Sequence, residues 1–378
     1  MRPSHRRFYT SLTDVTCHAA LMETLCRQFS LGKSRLETLA VLVMGLAQSR
    51  TVNLTHLACH LPGQATHAWG YRRLQRFFQH VQLESDRLAL LVVSMLNLSR
   101  KKCLVLDRTN WKIGSTDVNI LMLAIVTRRF RVPLLWSMIG HQGCSDTDQR
   151  IALMRRYLAL FPAASIELLL ADREFIGAQW MDFLNENNIP FAIRLKEDMT
   201  VNLANGTTWS FRTLLRRKRV GGTTKWEGRL NGTTGATSQP LRIAAKRLAD
   251  KQVLIVATNQ PEARQALNLY RRRWGIECLL GDAKTRGLNL EDTRIRNPRK
   301  LDCLLVVVTL AIIWAYRCAT RAMGMKAIPR KTHGRRQISW FRLGFDSLRQ
   351  WIINDQPKAI SAWINAAPIR PLSPLRSR

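Results

Sequence analysis

Residues 166–172, IELLLAD, decide the reading of the fold. A short and nearly continuous apolar run ends on an acid. Bounded by helical patterns on both sides, such a run reads as a strand buried on both faces. Before it, Ser145–Phe161 spaces Ile151, Leu153, Met154, Tyr157 and Leu158 as one face of a helix. After it, Ile176–Glu186 is a second helical segment and 190–195, PFAIRL, a further strand. Strands alternating with helices predict parallel βαβ units.

Further towards the N-terminus lie three more apolar runs. They are 103–106 (CLVL), which ends at Asp107, then 120–126 (ILMLAIV) and 132–138 (VPLLWSM). Three strands, a helix, a strand, a helix and a strand is the order of an RNase H-like α/β core. Residues 197–250 break the pattern with Thr, Gly and Asn, as in GGTTKWEGRLNGTTGATS, and predict short strands and turns. A strand at 253–258 (VLIVAT) closes this β-rich insertion, about residues 197–258, and Pro261–Lys284 reads as one long helix.

Residues 1–98 read as helical. Ser34–Ala47 opens with a serine cap and a Glu three residues on, and 71–80 (YRRLQRFFQH) interleaves arginines with aromatics. The expected layout is a helical DNA-binding domain at 1–98, a catalytic domain at 99–320 and a basic, helical C-terminal region at 321–378. A helical packing domain without base contacts is the competing reading of 1–98, and DNA binding is favoured.

The charge supports a polyanion partner. Lys and Arg number 59 against 26 Asp and Glu, a formal net charge of +33. That excess repels itself unless phosphates take it up, because basic side chains release counterions condensed on nucleic acid. The charge is spread out: residues 1–98 carry 11 basic against 5 acidic residues, and 321–378 carry 12 against 2. In the last segment Trp340, Phe341, Phe345, Trp351 and Ile352 argue for packing, while the basic content argues for DNA.

The eight cysteines form no CxxC pair, and His56, Cys59 and His60 lack a second ligand pair at zinc-finger spacing. Free thiols, most of them in apolar runs as small core residues, fit a reducing cytoplasm. The opening residues MRPSHRRFYTSLTD lack the apolar stretch of a signal peptide. The run 303–316, CLLVVVTLAIIWAY, is shorter than the roughly 20 residues a membrane span needs, so it predicts a buried core helix and no membrane partner.

Cutting a phosphodiester without a covalent intermediate needs an activated nucleophile and a charge clamp on phosphorus, which two divalent cations supply. Three converging carboxylates hold such hard ions. The chain offers Asp107 and Asp172 at the ends of apolar runs and Glu277 on the later helix. An isolated Asp at a strand end is more often a turn former or cap, so the order of the two aspartates carries the reading. At 100° per residue, Tyr270, Arg273, Glu277 and Lys284 fall at about 0°, 300°, 340° and 320°, one helix face. A metal ligand there stands beside a phenol and two cations suited to phosphate oxygens. Asp282 falls off that face, while Trp274 is close to it.

Tyr270, Arg273, Glu277 and Lys284 have the spacing Y-x2-R-x3-E-x6-K, and LDRTNW, LLLADREF and YRRRWGIECLLGDAKTRGLNLED surround the acids. In these features residues 100–320 resemble the IS4-type DDE transposases. The resemblance implies that Asp107, Asp172 and Glu277 bind Mg²⁺, or Mn²⁺ in its place. It implies that Tyr270, Arg273 and Lys284 hold DNA phosphate, and that the protein moves an insertion sequence by cut-and-paste through a hairpin intermediate. It also implies terminal inverted repeats and target DNA as partners, a dimer in the synaptic complex, and a bacterial, nucleoid-associated location. In that family the insertion supplies a tryptophan that stacks on a flipped base; Trp209 and Trp226 are the candidates, and ordinary packing is the stronger reading of each. The competing functions are an RNase H-like nuclease or resolvase that cuts without joining, and a DNA-binding protein whose site has decayed. A tyrosine recombinase is set aside, because the only H-x-x-R, His333–Arg336, has no tyrosine after it.

Overall fold

The computed structural model describes residues 16–364 apart from 62–65, 99–100, 233–234, 251, 325 and 333. The opening segment read for a signal peptide, the His333 of the H-x-x-R motif and the basic residues after 364 lie outside the described residues. The chain divides into two compact units. One is Leu98–Arg286; the other combines Met1–Asn97 with Gly287–Arg378. The expected catalytic domain at 99–320 therefore spans both: residues 287–320 belong with the terminal helices.

The terminal unit is helical. Its N-terminal part holds α1 (Cys17–Gln28), α2 (Lys33–Ser49), α3 (Leu54–Ala58), α4 (His67–His80) and α5 (Ser85–Met95). Side-chain caps start several of them, with Thr16, Asn53 and Thr66 oxygens each accepting a backbone N–H. Helix α4 is amphipathic. Gly70, Leu74, Phe77 and Phe78 are buried, Arg72, Gln75, Arg76 and Gln79 line the opposite side, and Arg73 turns to α2, donating to Thr38 Oγ1.

The sheet unit begins with β1 (Lys102–Ile113), β2 (Thr116–Val126) and β3 (Arg131–Met138), followed by α6 (Thr147–Leu160), β4 (Ile166–Ala171), α7 (Ala178–Glu186) and β5 (Phe191–Arg194). The Thr/Gly/Asn-rich segment forms β6 (Thr200–Leu203), β7 (Thr208–Ser210), α8 (Phe211–Leu215), β8 (Thr223–Gly232), β9 (Gly235–Ala236), β10 (Leu241–Arg247) and β11 (Val253–Thr258). Then come α9 (Ala263–Tyr270), a 3-10 turn at Arg271–Arg273 and α10 (Trp274–Ala283).

All the strands share one sheet of order β3-β2-β1-β4-β5-β11-β10-β8-β6-β7, with β9 on β8. The first three are antiparallel, while β4 runs parallel to β1 and β5 parallel to β4. The insertion continues this sheet: β11 pairs antiparallel with β5 through Ala192–Arg194. Val105, Leu106, Leu169 and Leu170 are fully buried, as expected of strands covered on both faces.

One local expectation is corrected. The strand that carries Asp107 does not end there. It continues to Ile113, because RTNWKI alternates buried Thr109, Trp111 and Ile113 with exposed Asn110 and Lys112 and pairs with β2 as a hairpin. The long helix expected at 261–284 is found over Ala263–Ala283, tightened to a 3-10 turn at Arg271–Arg273 while the backbone stays helical. Along it the helix crosses the sheet in strand order: α9 packs on β10, β11 and β5, the 3-10 turn on β4, and α10 on β1, β2 and β3.

The chain returns to the terminal unit through α11 (Pro298–Met323), α12 (Trp340–Asn354) and α13 (Gln356–Ile364). Helix α11 is long and apolar enough to cross a membrane, yet Val306–Ala315 is buried among α2, α5, α12 and α13. Gly344 lets α12 cross close to it, since a Cβ there would meet the Ala315 carbonyl. Trp340, Phe341, Phe345 and Ile352 are buried, so this part of the C-terminal region packs. The indole N–H of Trp363 donates to Thr24 Oγ1 at 2.9 Å, tying α13 to α1. All eight cysteines are free; Cys17, Cys103, Cys303 and Cys318 are buried, while Cys26, Cys59 and Cys144 are exposed rather than core residues.

Candidate active site

Strand register brings the two aspartates together. Leu106 and Ala171 are the last paired residues of the parallel β1–β4 ladder, and Asp107 and Asp172 follow them directly. Neighbouring strands lie about 4.8 Å apart, so both carboxylates stand at the carboxyl end of the parallel pair, where open α/β sheets place ligands. Each is oriented by its own backbone: Asp107 Oδ1 accepts from Arg108 N–H and Asp172 Oδ1 from Arg173 N–H, both at 2.8 Å.

Helix α10 supplies the third acid. Gly275 lies against Val126 of β2, where a Cβ would come within 2.3 Å of Cγ1. This close approach seats the start of the helix on the sheet and holds Arg273 and Glu277, four residues apart, over the aspartates. The guanidinium of Arg273 lies among all three acids. Nη1 donates to Asp107 Oδ2 at 3.1 Å, Nη2 donates to Glu277 Oε1 at 2.7 Å, and Nη2 stands 3.7 Å from Asp172 Oδ2. Side-chain exposure falls from 41% at Glu277 to 25% at Asp172, 14% at Asp107 and 12% at Arg273.

Burial pushes the Asp107 carboxyl up to about 6, against the pull of the Arg108 N–H and of Arg273. Burial also opposes the charge on Arg273, but the carboxylates of Asp172, Asp107 and Glu277 together hold it protonated. The Tyr270 hydroxyl is buried and donates to Ala171 O at 3.2 Å and to Asp172 Oδ1 at 3.4 Å. Its burial, then the nearby Asp172, push the phenol far above its ordinary range, so it remains a neutral donor. The ammonium of Lys284 donates to Asn110 O at 3.2 Å and lies 5.1 Å above the Trp111 ring. Alternation along β1 puts Trp111 on the same strand face as Asp107.

The six residues singled out from the sequence therefore meet at one end of the sheet. Their roles divide: Arg273 touches the three acids, Tyr270 reaches only Asp172, and Lys284 rests on the β1 hairpin. Arg194 of β5, 4.0 Å from Asp172, was missed. Its signal was the arginine near the end of PFAIRL, the strand beside β4. The partners of Lys284 were also missed, although Asn110 and Trp111 stand in the DRTNW text itself. Trp274, beside Arg273, is 65% exposed. Trp209 is exposed on β7, and Trp226 packs against Phe211 with ring centroids 6.2 Å apart.

The donor set is oxygen only, as hard divalent cations require. Among the described residues no three Asp, Glu, His or Cys groups are close enough to hold one ion as they stand. The acids instead surround an organic cation, and a guanidinium among three carboxylates marks a place built for positive charge.

The Transposase DDE domain family matches residues 98–314, more than half of the chain, and the chain belongs to that family. No curated protein matches it. Among solved structures, the piggyBac transposase synaptic complex with hairpin DNA is similar with a TM-score of 0.47 and 10% identity, over 90% of this chain and 78% of that one. The catalytic domain of human Endonuclease V is similar with a TM-score of 0.26 and 14% identity, over 64% of this chain and 95% of that one.

Proposed function

We propose that the chain is an IS4-type transposase that cuts the ends of its own insertion sequence and joins them to target DNA. On this reading the sheet β3-β2-β1-β4-β5 is an RNase H-like core, with the strands from β6 to β11 as its insertion. The observation that carries it is the convergence of Asp107, Asp172 and Glu277, from two strands and a helix, on Arg273. The Y-x2-R-x3-E-x6-K spacing of Tyr270, Arg273, Glu277 and Lys284 supports the narrower family.

Asp107, Asp172 and Glu277 would hold Mg²⁺, or Mn²⁺ in its place. The bound ions would supply an activated oxygen nucleophile and charge neutralisation at phosphorus. The protein's own groups do the rest. Tyr270 keeps Asp172 oriented through its hydroxyl. Arg273 neutralises the acids while the site is empty of DNA. A DNA phosphate then competes for its planar fork, since guanidinium–phosphate pairing is charge-assisted and bidentate. Lys284 offers a second positive charge from the β1 hairpin. Two such active sites, one on each element end, make a dimer on DNA the working assembly.

The test incubates the protein with Mg²⁺ and labelled duplex taken from the ends of its element. A hairpin and a joined product support the proposal. Cleavage that yields neither would assign the protein to the nucleases instead.

A further inference from the structure

The β1–β4 ladder ends at Leu106 and Ala171, one residue before the two aspartates. Beyond it the strands part. Strand β1 runs on into its hairpin with β2, and the chain after β4 turns through Arg173–Phe175. Backbone pairing therefore stops short of setting the distance between Asp107 and Asp172. Neighbouring carboxylates repel, and here the repulsion falls on a short turn.

A side-chain pair spans the gap. Arg108 follows Asp107, and Glu174 stands two residues after Asp172. Arg108 Nε lies 3.4 Å from Glu174 Oε1, with the side chains 17% and 25% exposed. Both atoms are buried, and neither has a hydrogen-bond partner among the described residues. Each therefore depends on the other's charge, since a desolvated ion is costly unless it is paired.

Each end of the pair is anchored on its own side. Arg108 Nη1 donates to Asn119 Oδ1 at 3.2 Å. Buried Asn119 donates in turn to the carbonyls of His141 and Gly143, at 2.9 and 3.0 Å. Arg108 is thus braced by β2 and by the loop after β3. On the other side stands Arg150 of α6, itself buried. Its Nη2 donates to Glu174 O at 3.1 Å and its Nη1 to Ile176 O at 3.4 Å. Its Nε donates to Ser145 Oγ at 3.0 Å, and its guanidinium carbon lies 5.3 Å from the centre of the Phe175 ring. Arg150 therefore holds the backbone of the turn, and Arg108 holds its acid.

We infer that Arg108 and Glu174 are positioning residues that fix the separation of Asp107 and Asp172. They act through the backbone that carries the two acids. The inference rests on the transposase reading and deepens it. Carboxylates that hold divalent cations must keep a set geometry. Once a DNA phosphate claims Arg273, the two aspartates lose the cation that screens them, and the Arg108–Glu174 pair keeps the turn in place.

The experiment is a double-mutant cycle on the full-length protein, with Arg108→Ala, Glu174→Ala and both changes together. It reads amide hydrogen exchange over residues 173–177, the Mg²⁺ dissociation constant by calorimetry, and the Mg²⁺ dependence of single-turnover cleavage of labelled end DNA. Each single change should speed exchange in the turn and raise the Mg²⁺ dissociation constant by about tenfold. Affinity for end DNA, measured by anisotropy, should stay at the wild-type value. The double variant should do no worse than the worse single one, because either change alone breaks the pair. If the alanine variants do not fold, Arg108→Lys and Glu174→Gln form the same cycle, with the same failure of additivity expected. Wild-type exchange and metal affinity in both single variants would overturn the inference, as would strictly additive effects in the double one. Asp172→Asn separates it from the reading beneath it. If that variant binds Mg²⁺ and cleaves as wild type, the site reading fails whatever the turn does. If it loses both while the Arg108 and Glu174 variants keep wild-type metal affinity, the pair is wrong while the site stands.

Discussion

Arg273 and Asp107 are 166 positions apart in sequence and 3.1 Å apart in space, each almost buried. A buried guanidinium on a buried carboxylate is held by mutual need, since removing either strands the other's charge. Here the cation serves three acids, so it stands where a metal charge would otherwise be required. Arg273→Ala should therefore destabilise the metal-free protein by about 3 kcal/mol. Mg²⁺ should then raise its melting temperature more than that of wild type. Equal rises in the two proteins would show that the arginine and the metal do not share a place.

Tyr270 tests orientation rather than charge. Its hydroxyl is the described link between α9 and the Asp172 carboxylate. Tyr270→Phe keeps the ring and its packing but leaves the Ala171 carbonyl without this donor. The expected cost in stability is about 1 kcal/mol. Single-turnover cleavage should slow by about tenfold while DNA affinity is unchanged, measured by rapid quench and anisotropy. A loss of affinity without loss of rate would mean that the phenol contacts phosphate instead.

Gly275 tests how α10 is seated. A methyl group there meets Val126 Cγ1 at 2.3 Å, so Gly275→Ala should cost about 1–3 kcal/mol and reduce cleavage by displacing Arg273 and Glu277. Val126→Ala opens space at the same point, and the double variant should recover part of both losses. Strict additivity in the thermal melts would contradict the contact.

Asp282 gives a pH signature away from Asp107, Asp172 and Glu277. It is buried on α10, with Oδ2 lacking a hydrogen-bond partner, and burial pushes its carboxyl up to about 6 despite Arg286 and Arg131. A raised carboxyl pKa favours the folded state at low pH, and that contribution is lost as the pH rises through about 6. At pH 8 the ionised group costs on the order of 3 kcal/mol. Asp282→Asn should thus be more stable than wild type at pH 8, with the advantage gone near pH 4. A difference that does not change between those pH values would contradict the burial argument.

Much of the sheet was legible because apolar runs report burial directly. The strands at 166–171 and 253–258 fall where those runs predict. The overshoot of β1 past Asp107 was legible in principle, since Thr109, Trp111 and Ile113 alternate with polar residues at period two. The 3-10 turn within the long helix was not, because no proline or glycine stands at Arg271–Arg273 to mark it. Nor was the extension of the sheet by the insertion, which rests on β5 pairing with residues more than 60 positions away. At the site, spacing placed Arg273 on the same face as Glu277. That it would reach both aspartates depends on the β1–β4 register, which no local pattern encodes. Arg194 escaped because it depends on the β4–β5 pairing, and the Lys284–Trp111 contact because it depends on how α10 packs on β1.

The central claim is that Asp107, Asp172 and Glu277 form one metal-dependent phosphoryl-transfer site. The most direct measurement is Mg²⁺-dependent cleavage of labelled end DNA by Asp107→Asn, Asp172→Asn and Glu277→Gln, each shown to be folded and to bind DNA. Losing a metal ligand forfeits several kcal/mol of transition-state stabilisation, so each variant should cut at least about a thousandfold more slowly than wild type. Wild-type cleavage by all three would contradict the account.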